Sequence, residues 1–462
     1  MKPKLSSTDF FSESPPDRII GVESEVTIQT ANLADKYSYE DRFITDEAIR
    51  NAGFRTAGHG YLDSGGRVYL DMQNLEIATA ECRGPLQAAA ADYAGILQLI
   101  DIVDASGFEH KGLFRNTGTT INGEAETTGY HENYLIPRSI VNENDFLTII
   151  PSYLASRMWA GSGTITDRFE LSQKISGIGY IAITTDLTHR ITHGAKPMAI
   201  VPPPGADVDV LSPEQGYARL EIRFADANFS KTINYLGFAT ASLALRLAEH
   251  KDKIDTTVLL SKSFDCPGYA AQHFSGDLSF TKTMETVTGD FISAVNYQEL
   301  LIEKSLELSE RIELPDDEIQ AIKLWQTTVD QLRLADLEAG NYAGLLELAD
   351  FAIRHRYLSK HFKDEQLNSF NSEAVALNLG WDRISPAGLA MKYWDKVGSD
   401  YVSSSDIDKL YSSPPATRAR ARGNIIKENH GARSASWASI TSTNGEYYRF
   451  DDPYSTYPTL SE

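Results

Sequence analysis

Ionisable residues occupy alternate positions in three segments of this sequence that each have the pattern of a β-strand. The segments are GVESEVTI with Glu23 and Glu25, RVYLDM with Arg67, Tyr69 and Asp71, and RLEIRF with Arg219, Glu221 and Arg223. Alternate residues of a strand face the same way, so each segment would have one apolar face and one charged face. Carboxylates beside arginines are suited to binding a divalent metal ion and phosphate groups.

Two further segments add candidate residues. In DMQNLEIATAEC, Glu76 and Glu81 follow Asp71, and only one of the two can share its face in a regular strand. HENYL places His131 beside a carboxylate and an amide. Taken singly, an acidic pair is more often a solvated strand face, and a lone histidine more often has a structural role. The coincidence of three charged strands is what favours a functional site.

Other signals are weaker. The GSGTI turn at Gly161–Ile165 resembles a phosphate loop, but no lysine follows at P-loop spacing. Arg115 and Arg157 could be phosphate ligands or simple surface charge. The sequence contains no G-x-S-x-G, no HExxH and no GxGxxG after a strand, which argues against serine hydrolases, zinc proteases and dinucleotide enzymes.

The elements that would position these residues are mixed strands and helices. Strand signals dominate up to about residue 82 and again from the GSG turn to about residue 226. A helix is predicted from Pro85 to Gly107, another after Asn142 or Asn144, a long amphipathic helix over residues 232–253, and mostly helix over 290–362. The pattern predicts an α+β fold in which helices cover the apolar face of a sheet.

Composition limits the class of protein. The 462 residues are 42% hydrophobic and 10% aromatic, as in a globular protein, and 64 acidic against 43 basic residues give a net charge of −21. This balance argues against nonspecific binding to nucleic acid or anionic membranes. Only two cysteines are present, without a CxxC pair, and no apolar run approaches the roughly 20 residues that span a bilayer. We therefore expect a cytoplasmic protein.

The chain divides into three predicted parts. Residues 1–17 have the composition of a flexible leader. Residues 18–402 would form a large catalytic domain. The weak segment SSSDIDKLYSSPPATR suggests a boundary near residue 403, followed by a small C-terminal domain over residues 403–462.

The motifs GVESE, RVYLD, EIATAEC, HENYL, TRARARG and SASW occur in this order, and together they resemble the signatures of the Pup ligase and Pup deamidase/depupylase family. That family attaches or removes a small ubiquitin-like modifier and belongs to the glutamine-synthetase-like carboxylate–amine ligases. The resemblance implies a twisted, mainly antiparallel sheet with a concave catalytic face and helices on the other face. It also implies that the small C-terminal domain contributes to the nucleotide site.

The resemblance also implies roles for individual residues. Magnesium ligands would be Glu23, Tyr69 and Glu76, ATP contacts would be Arg67, Thr79 and Trp437, and the catalytic base would be Asp71. Glu25, Glu221 and His131 are additional candidate metal ligands, and Arg219 and Arg223 candidate ligands of phosphate or carboxylate groups. ATP and Mg²⁺ are the implied cofactors, because magnesium prefers oxygen ligands and bridges nucleotide phosphates.

The implied reaction joins a modifier to a protein. ATP would phosphorylate the γ-carboxylate of a C-terminal glutamate on a Pup-like modifier, and a lysine of a target protein would attack the acyl phosphate. The alternatives are a deamidase or depupylase that hydrolyses the corresponding bond, a small-molecule carboxylate–amine ligase, and a pseudoenzyme. The family's arginine-bearing stretch has no arginine match in RITHGAKP at Arg190–Pro197 unless Arg190 or Lys196 substitutes. Because of this departure, a divergent member of the family with an altered substrate remains an alternative.

Overall fold

A computed structural model describes most of the chain. It covers residues 17–29, 54–56, 59–62, 64–71, 74–105, 112–115, 119–121, 124–126, 128–175, 183–184, 198–201, 217–223, 225–429 and 432–458. The predicted leader up to residue 16 and the stretch Arg190–Pro197 lie outside the described residues.

The described strands and helices alternate along the chain in the mixed order that the sequence predicts. The strands are β1 (Ile19–Gln29), β2 (Phe54–Thr56), β3 (His59–Tyr61), β4 (Arg67–Asp71), β5 (Asn74–Ala78), β6 (Cys82–Arg83), β7 (Gly112–Arg115), β8 (Thr119–Ile121), β9 (Glu124–Glu126), β10 (Tyr130–Pro137), β11 (Thr164–Ile165), β12 (Phe169–Glu170), β13 (Ile183–Thr184), β14 (Met198–Val201), β15 (Tyr217–Ile222), β16 (Thr283–Glu285), β17 (Phe291–Ser293), β18 (Arg383–Ile384), β19 (Ala432–Ala435), β20 (Ser439–Ser442) and β21 (Tyr447–Arg449). The helices are α1 (Pro85–Asp104), α2 (Asn144–Ser156), α3 (Lys231–Glu249), α4 (Thr257–Lys262), α5 (Pro267–Ser275), α6 (Ala294–Ser309), α7 (Asp316–Leu334), α8 (Asp350–Leu358), α9 (Ser372–Trp381), α10 (Leu389–Val397), α11 (Ser404–Ser412) and α12 (Arg418–Glu428).

One large sheet organises the molecule. Its strands follow the order β13-β14-β15-β10-β1-β5-β4-β3-β2, while β6 and β7 also pair with β1, and β18 pairs with β7. Among the described strands the pairing is antiparallel except between β13 and β14. Strand β1 is central because its eleven residues are long enough to pair with strands on both sides.

The apolar face of this sheet is covered by helices. Ile20, Val22 and Val26 of β1 are fully buried, whereas the intervening Glu23 and Glu25 are half-buried, as the period-two pattern predicts. Helix α1 packs closely below them because it is rich in alanine and has Gly95 opposite Ile77, where a Cβ would lie 3.4 Å from the Ile77 Cδ1.

Helix α1 is also the helix in the described part of the chain that is long and apolar enough to cross a membrane by length and composition. Most of it is buried inside the fold, and the core helices of globular proteins meet the same criteria. Its proline at the first turn matches the predicted start at Pro85.

The C-terminal segment builds its own small core. Strands β19, β20 and β21 form an antiparallel sheet against α12, and Ala421, Ile425, Ile440 and Phe450 form a hydrophobic cluster separate from the main one. Helix α11 instead packs on α1, where Gln98 donates a hydrogen bond to the Tyr411 carbonyl at 2.6 Å. The domain boundary near residue 403 stays a prediction.

Candidate active site on the charged face of the sheet

Five neighbouring strands, β15, β10, β1, β5 and β4, bring the predicted site residues to one face. Glu25 lies opposite Glu76, and Glu76 lies opposite Tyr69 on the next strand. Glu23 lies opposite His131 on the other side of β1. Directly opposed residues of antiparallel strands point to the same side of the sheet, so these side chains share one surface.

The same register extends the surface at both edges. Arg67 and Asp71 are on the Tyr69 face of β4 because they are two residues away from it. Glu221 of β15 lies opposite Asn133, which is two residues after His131. Arg219 and Arg223 are each two residues away from Glu221 and therefore belong to the same face.

The carboxylates of this surface are close enough to share a cation. Glu23, Glu76 and His131 each place a ligand atom within 4.8 Å of the others, and so do Glu25, Asp71 and Glu76. Glu76 belongs to both groups and is 2% exposed. Carboxylate oxygens with one imidazole nitrogen form a donor set that accepts a divalent cation.

The electrostatics of Glu76 fit a cation-binding role. Burial and the nearby Glu23 carboxylate raise the pKa of Glu76 to about 9, with Glu25 and Asp71 adding to the rise. A divalent cation would relieve this like-charge crowding. The pKa of Glu23 moves the other way: although burial opposes ionisation, the His131 hydrogen bond at 3.2 Å and the Arg219 charge lower it to about 2.

Tyr69 and Glu25 are held by hydrogen bonds around the same carboxylates. The Tyr69 hydroxyl donates to Glu76 Oε1 at 2.7 Å, and burial together with the Glu23 and Glu76 charges raises the pKa of the phenol far above its usual range. Glu25 accepts from the Gly129 N–H at 2.7 Å and from Asn74 at 3.0 Å. A Cβ at Gly129 would lie 2.6 Å from Glu25 Oε1, so glycine alone allows this approach.

Arg219 of β15 and Arg223, directly after that strand, line the other side of the carboxylates. Arg219 Nη1 is 2.7 Å from Asn133 Oδ1 and 3.4 Å from Glu23 Oε1. Arg223 donates to Glu221 at 2.8 Å. Burial opposes its charge, but the negative charges of Glu221, Glu23 and Asp71 raise the pKa of Arg223. The buried Nε atoms of both arginines have no partner among the described residues.

Arg67 lies in an aromatic enclosure at the opposite edge. Its guanidinium carbon is 5.1 Å from the Tyr61 ring centre, 5.6 Å from that of Tyr69 and 5.1 Å from that of Trp437. Arg67 is 9% exposed, and its Nε has no partner within the described part of the chain. A buried cation with an unsatisfied donor and flat aromatic neighbours is suited to an anionic ligand that also carries a planar ring.

Glu81 brings Trp437 to this enclosure. Its carboxylate pairs with Arg418 at 2.7 Å and Arg422 at 2.8 Å, both on α12. Arg422 in turn donates to the Trp437 carbonyl at 2.7 Å and lies 4.9 Å from its ring centre. Glu76 therefore shares the charged face while Glu81 fastens the C-terminal segment. The parity rule for one regular strand does not apply here, because β4 and β5 pair with each other in antiparallel fashion.

Replacement of Glu81 by glutamine should weaken this attachment. Burial opposes ionisation, but Arg422 and Arg418 lower the pKa of Glu81 to about 2 from an ordinary 4.5. Because the pKa of Glu81 is lower in the folded than in the unfolded protein, its carboxylate stabilises the fold above about pH 4.5. That stabilisation is lost as the pH falls from 4.5 towards 2. Breaking a buried pair costs about 3 kcal/mol, so Glu81→Gln should lower the free energy of unfolding at pH 7 and flatten its decrease between pH 5 and 3.

Chemical denaturation followed by tryptophan fluorescence at several pH values measures this effect. Glu446→Gln is the matched control, because Glu446 is an exposed carboxylate of the same C-terminal segment. Equal unfolding curves for Glu81→Gln and the unmodified protein at pH 7 would contradict a stabilising clamp.

Some sequence candidates lie elsewhere. The Thr79 hydroxyl, directly after β5, accepts a hydrogen bond from the Val22 N–H at 3.0 Å and so links two strands. Arg115 and Arg157 are neither phosphate ligands nor surface charge: both are buried on the helix side, paired with Asp92 at 2.6 Å and Glu132 at 3.0 Å. Isolated residues in a sequence carry no information about which face of the sheet they occupy.

Three residues of the surface were not selected from the sequence. Asn74 holds Glu25, Asn133 holds Arg219, and Tyr61 stacks on Arg67. Parity could have identified the two asparagines, since Asn74 is two residues before Glu76 and Asn133 two after His131. Tyr61 requires knowledge that β3 pairs with β4 and sets Tyr61 opposite Arg67.

The chain resembles known proteins over almost its whole length. The family model described as Pup-ligase protein matches residues 2–441. A Pup–protein ligase of Acidimicrobium ferrooxidans is 27% identical, with 92% of each chain covered. A Pup deamidase/depupylase of Mycolicibacterium smegmatis is 24% identical, covering 83% of this chain and 75% of that protein.

Solved structures have the same fold. The complex of the modifier Pup with its ligase PafA superposes with a TM-score of 0.79 at 19% identity, covering 96% of this chain and 90% of that one. PafA in complex with ADP gives a TM-score of 0.71 at 18% identity, with 87% and 88% covered. The predicted α+β fold is thereby confirmed. This chain belongs to the Pup-ligase protein family.

Proposed function

We propose that the protein is an ATP- and Mg²⁺-dependent ligase. It would join the γ-carboxylate of a C-terminal glutamate on a Pup-like modifier to a lysine amine of a target protein. The observation that carries this proposal is the position of Asp71, which shares one face of the sheet with the carboxylates around Glu76 and with the aromatic enclosure of Arg67. A base and an anion site then lie on β4, and a cation site lies beside them on the neighbouring strands. The relatives named Pup–protein ligase support the same reaction.

We assign the magnesium ion to Glu23, Glu76 and His131, with Glu25 and Glu221 beside them. Their donor set and the crowded charge at Glu76 fit a divalent cation. Tyr69 would orient Glu76 through its hydrogen bond. When bound, Mg²⁺ screens the charge of the nucleotide phosphates.

We assign the nucleotide to the Arg67 enclosure. Arg67 and Trp437 supply a buried cation and a ring face, and Arg219 and Arg223 supply positive charge on the far side of the carboxylates. The Thr79 hydroxyl is engaged with the Val22 N–H, so Thr79 would act through its place at the end of β5.

The proposed reaction has two steps. A γ-carboxylate oxygen of the modifier bonds to the terminal phosphorus of ATP while the bond from that phosphorus to the bridging oxygen breaks, and ADP leaves. Asp71 then accepts a proton from the lysine ammonium, which is protonated at neutral pH without such a base. The free amine attacks the acyl carbon, the carbon–oxygen bond to phosphate breaks, the nitrogen gives up its second proton to the departing phosphate, and an isopeptide bond remains.

Incubation with a modifier peptide tests the function. A Pup-like peptide ending in glutamate, together with ATP, Mg²⁺ and a lysine-bearing protein, should yield an isopeptide that mass spectrometry detects. A peptide ending in aspartate, one methylene shorter, is the control and should react far more slowly. Consumption of a glutamine-ended peptide or of a preformed conjugate, without ligation, would instead establish a deamidase or depupylase. Absence of all three reactions would refute both assignments.

A further inference from the structure

Lys174 is a basic residue that interacts electrostatically with Glu25 of the charged surface, and no sequence motif points to it. It follows β12, the second strand of the hairpin that begins directly after the Gly161–Gly163 turn. Its side chain is half-buried. Burial lowers the pKa of Lys174, whereas the negative charges of Glu25 and Asp226 act in the opposite direction.

Asp226 holds the segment that carries this lysine. Its buried carboxylate accepts hydrogen bonds from the backbone N–H groups of Ser162 at 2.8 Å, Gln173 at 3.1 Å and Lys174 at 3.2 Å. The hydroxyls of Ser162 and Ser172 also donate to it. Asp226 comes three residues after Arg223, so it links the hairpin to the end of the strand that carries the site arginines.

The Gly161–Gly163 turn therefore has a positioning role. Its N–H groups donate to protein acceptors: Gly161 to the Met158 carbonyl, Ser162 to Asp226 and Gly163 to the Leu171 carbonyl at 2.8 Å. A phosphate loop needs N–H groups that are available to the ligand. The turn does not offer them, whereas the segment that follows its hairpin carries the cationic side chain of Lys174.

The charge of Lys174 complements that of the arginines. Arg219 and Arg223 pair with Glu23 and Glu221, on one side of the carboxylates. Lys174 acts on Glu25, which lies within the group that also contains Asp71 and Glu76. A phosphoryl group that is transferred next to Asp71 would therefore meet the Lys174 ammonium in addition to the arginines, and positive charge around the group stabilises its transition state.

We propose that the Lys174 ammonium binds the terminal phosphate of ATP and that Asp226 is the positioning residue that places it there. This inference rests on the proposed function. As the carboxylate oxygen of the modifier bonds to the terminal phosphorus and the bridging bond breaks, the electron pair departs with ADP. Lys174 keeps its proton throughout and stabilises the charge on the oxygens of the transferred group.

Nucleotide affinity in the presence of Mg²⁺ tests the proposal without turnover. Lys174→Met should weaken binding of the non-hydrolysable ATP analogue AMP-PNP at least about tenfold, the value of one charge-assisted contact. ADP lacks the terminal phosphate, so its affinity should change less than about twofold. Lys174→Arg should recover part of the AMP-PNP affinity because it keeps the charge. Isothermal titration calorimetry on the full chain measures all of these affinities.

The variants separate a phosphate contact from a structural effect. Lys262→Met removes a lysine that pairs with Asp290 away from the sheet, and it should leave both affinities unchanged. Asp226→Asn should weaken the binding of AMP-PNP more than that of ADP, because Lys174 would be displaced.

Unaltered AMP-PNP affinity in Lys174→Met, or an equal loss of affinity for both nucleotides, would overturn the proposal. An unaltered ratio of the two affinities in Asp226→Asn would overturn its positioning role. No modifier peptide is present, so failure of ligation alone does not affect these readouts.

Discussion

Asp71→Asn should reduce the rate of isopeptide formation by at least about 100-fold, the lower end of what a positioned general base contributes. The amide keeps the size of the side chain but cannot accept the proton of the attacking lysine. The group formed by Glu23, Glu76 and His131 does not contain Asp71. The affinity for Mg²⁺ and ADP should therefore stay close to that of the unmodified protein.

Two measurements check this expectation. Single-turnover ligation gives the rate of the chemical steps, and calorimetric titration with ADP in the presence of Mg²⁺ gives the affinity. Asp290→Asn serves as the control because Asp290 is an exposed aspartate that pairs with Lys262. An undiminished ligation rate in Asp71→Asn would remove this residue from the proton transfer.

Glu76→Gln should have the largest effect on the metal ion. Glu76 is shared by both groups of close ligand atoms, so its loss removes a donor from each. Even residues that only support a metal ligand contribute 10- to 100-fold to affinity, and we expect a loss of at least about 100-fold here. In the absence of metal the same substitution should raise the melting temperature, because it removes one of several buried carboxylates crowded around Glu23.

Glu76→Gln is expected to weaken the affinity for Mg²⁺ but to raise the melting temperature without metal. These two opposite effects on stability make the prediction specific. Thermal unfolding in EDTA and in Mg²⁺ should show a large stabilisation by the ion for the unmodified protein and little for Glu76→Gln. Glu285→Gln changes an exposed glutamate of β16 and should behave as the unmodified protein does. Equal stabilisation by Mg²⁺ in both proteins would place the ion elsewhere.

Alternation along single strands was enough to predict much of the candidate site. Period-two spacing correctly placed Glu23 with Glu25 and Arg67 with Asp71 on the charged face. Burial of the apolar face of a strand determines which residues lie on its opposite face. The α+β class followed from the same pattern together with the helix starts.

The contacts that depend on the order of strands in the sheet could not be predicted from the sequence. Nothing in the residues of HENYL indicates that β10 lies between β1 and β15, which is what brings His131 within reach of both Glu23 and Glu221. Lys174 also required the fold, since its electrostatic interaction with Glu25 depends on a hairpin and on the buried carboxylate of Asp226 rather than on loop spacing. The pairing of Arg157 with Glu132 below the sheet is likewise a tertiary contact that pattern alone does not specify.

The attachment of Trp437 to Arg67 has a consequence for synthesis of the protein. The strands that carry the carboxylates are synthesised before Trp437, which forms one wall of the proposed nucleotide enclosure. A nascent chain, or a product of premature termination before residue 437, would have the acidic surface without a complete place for ATP. Under the proposed function, such unfinished copies would be expected to lack ATP-dependent ligation.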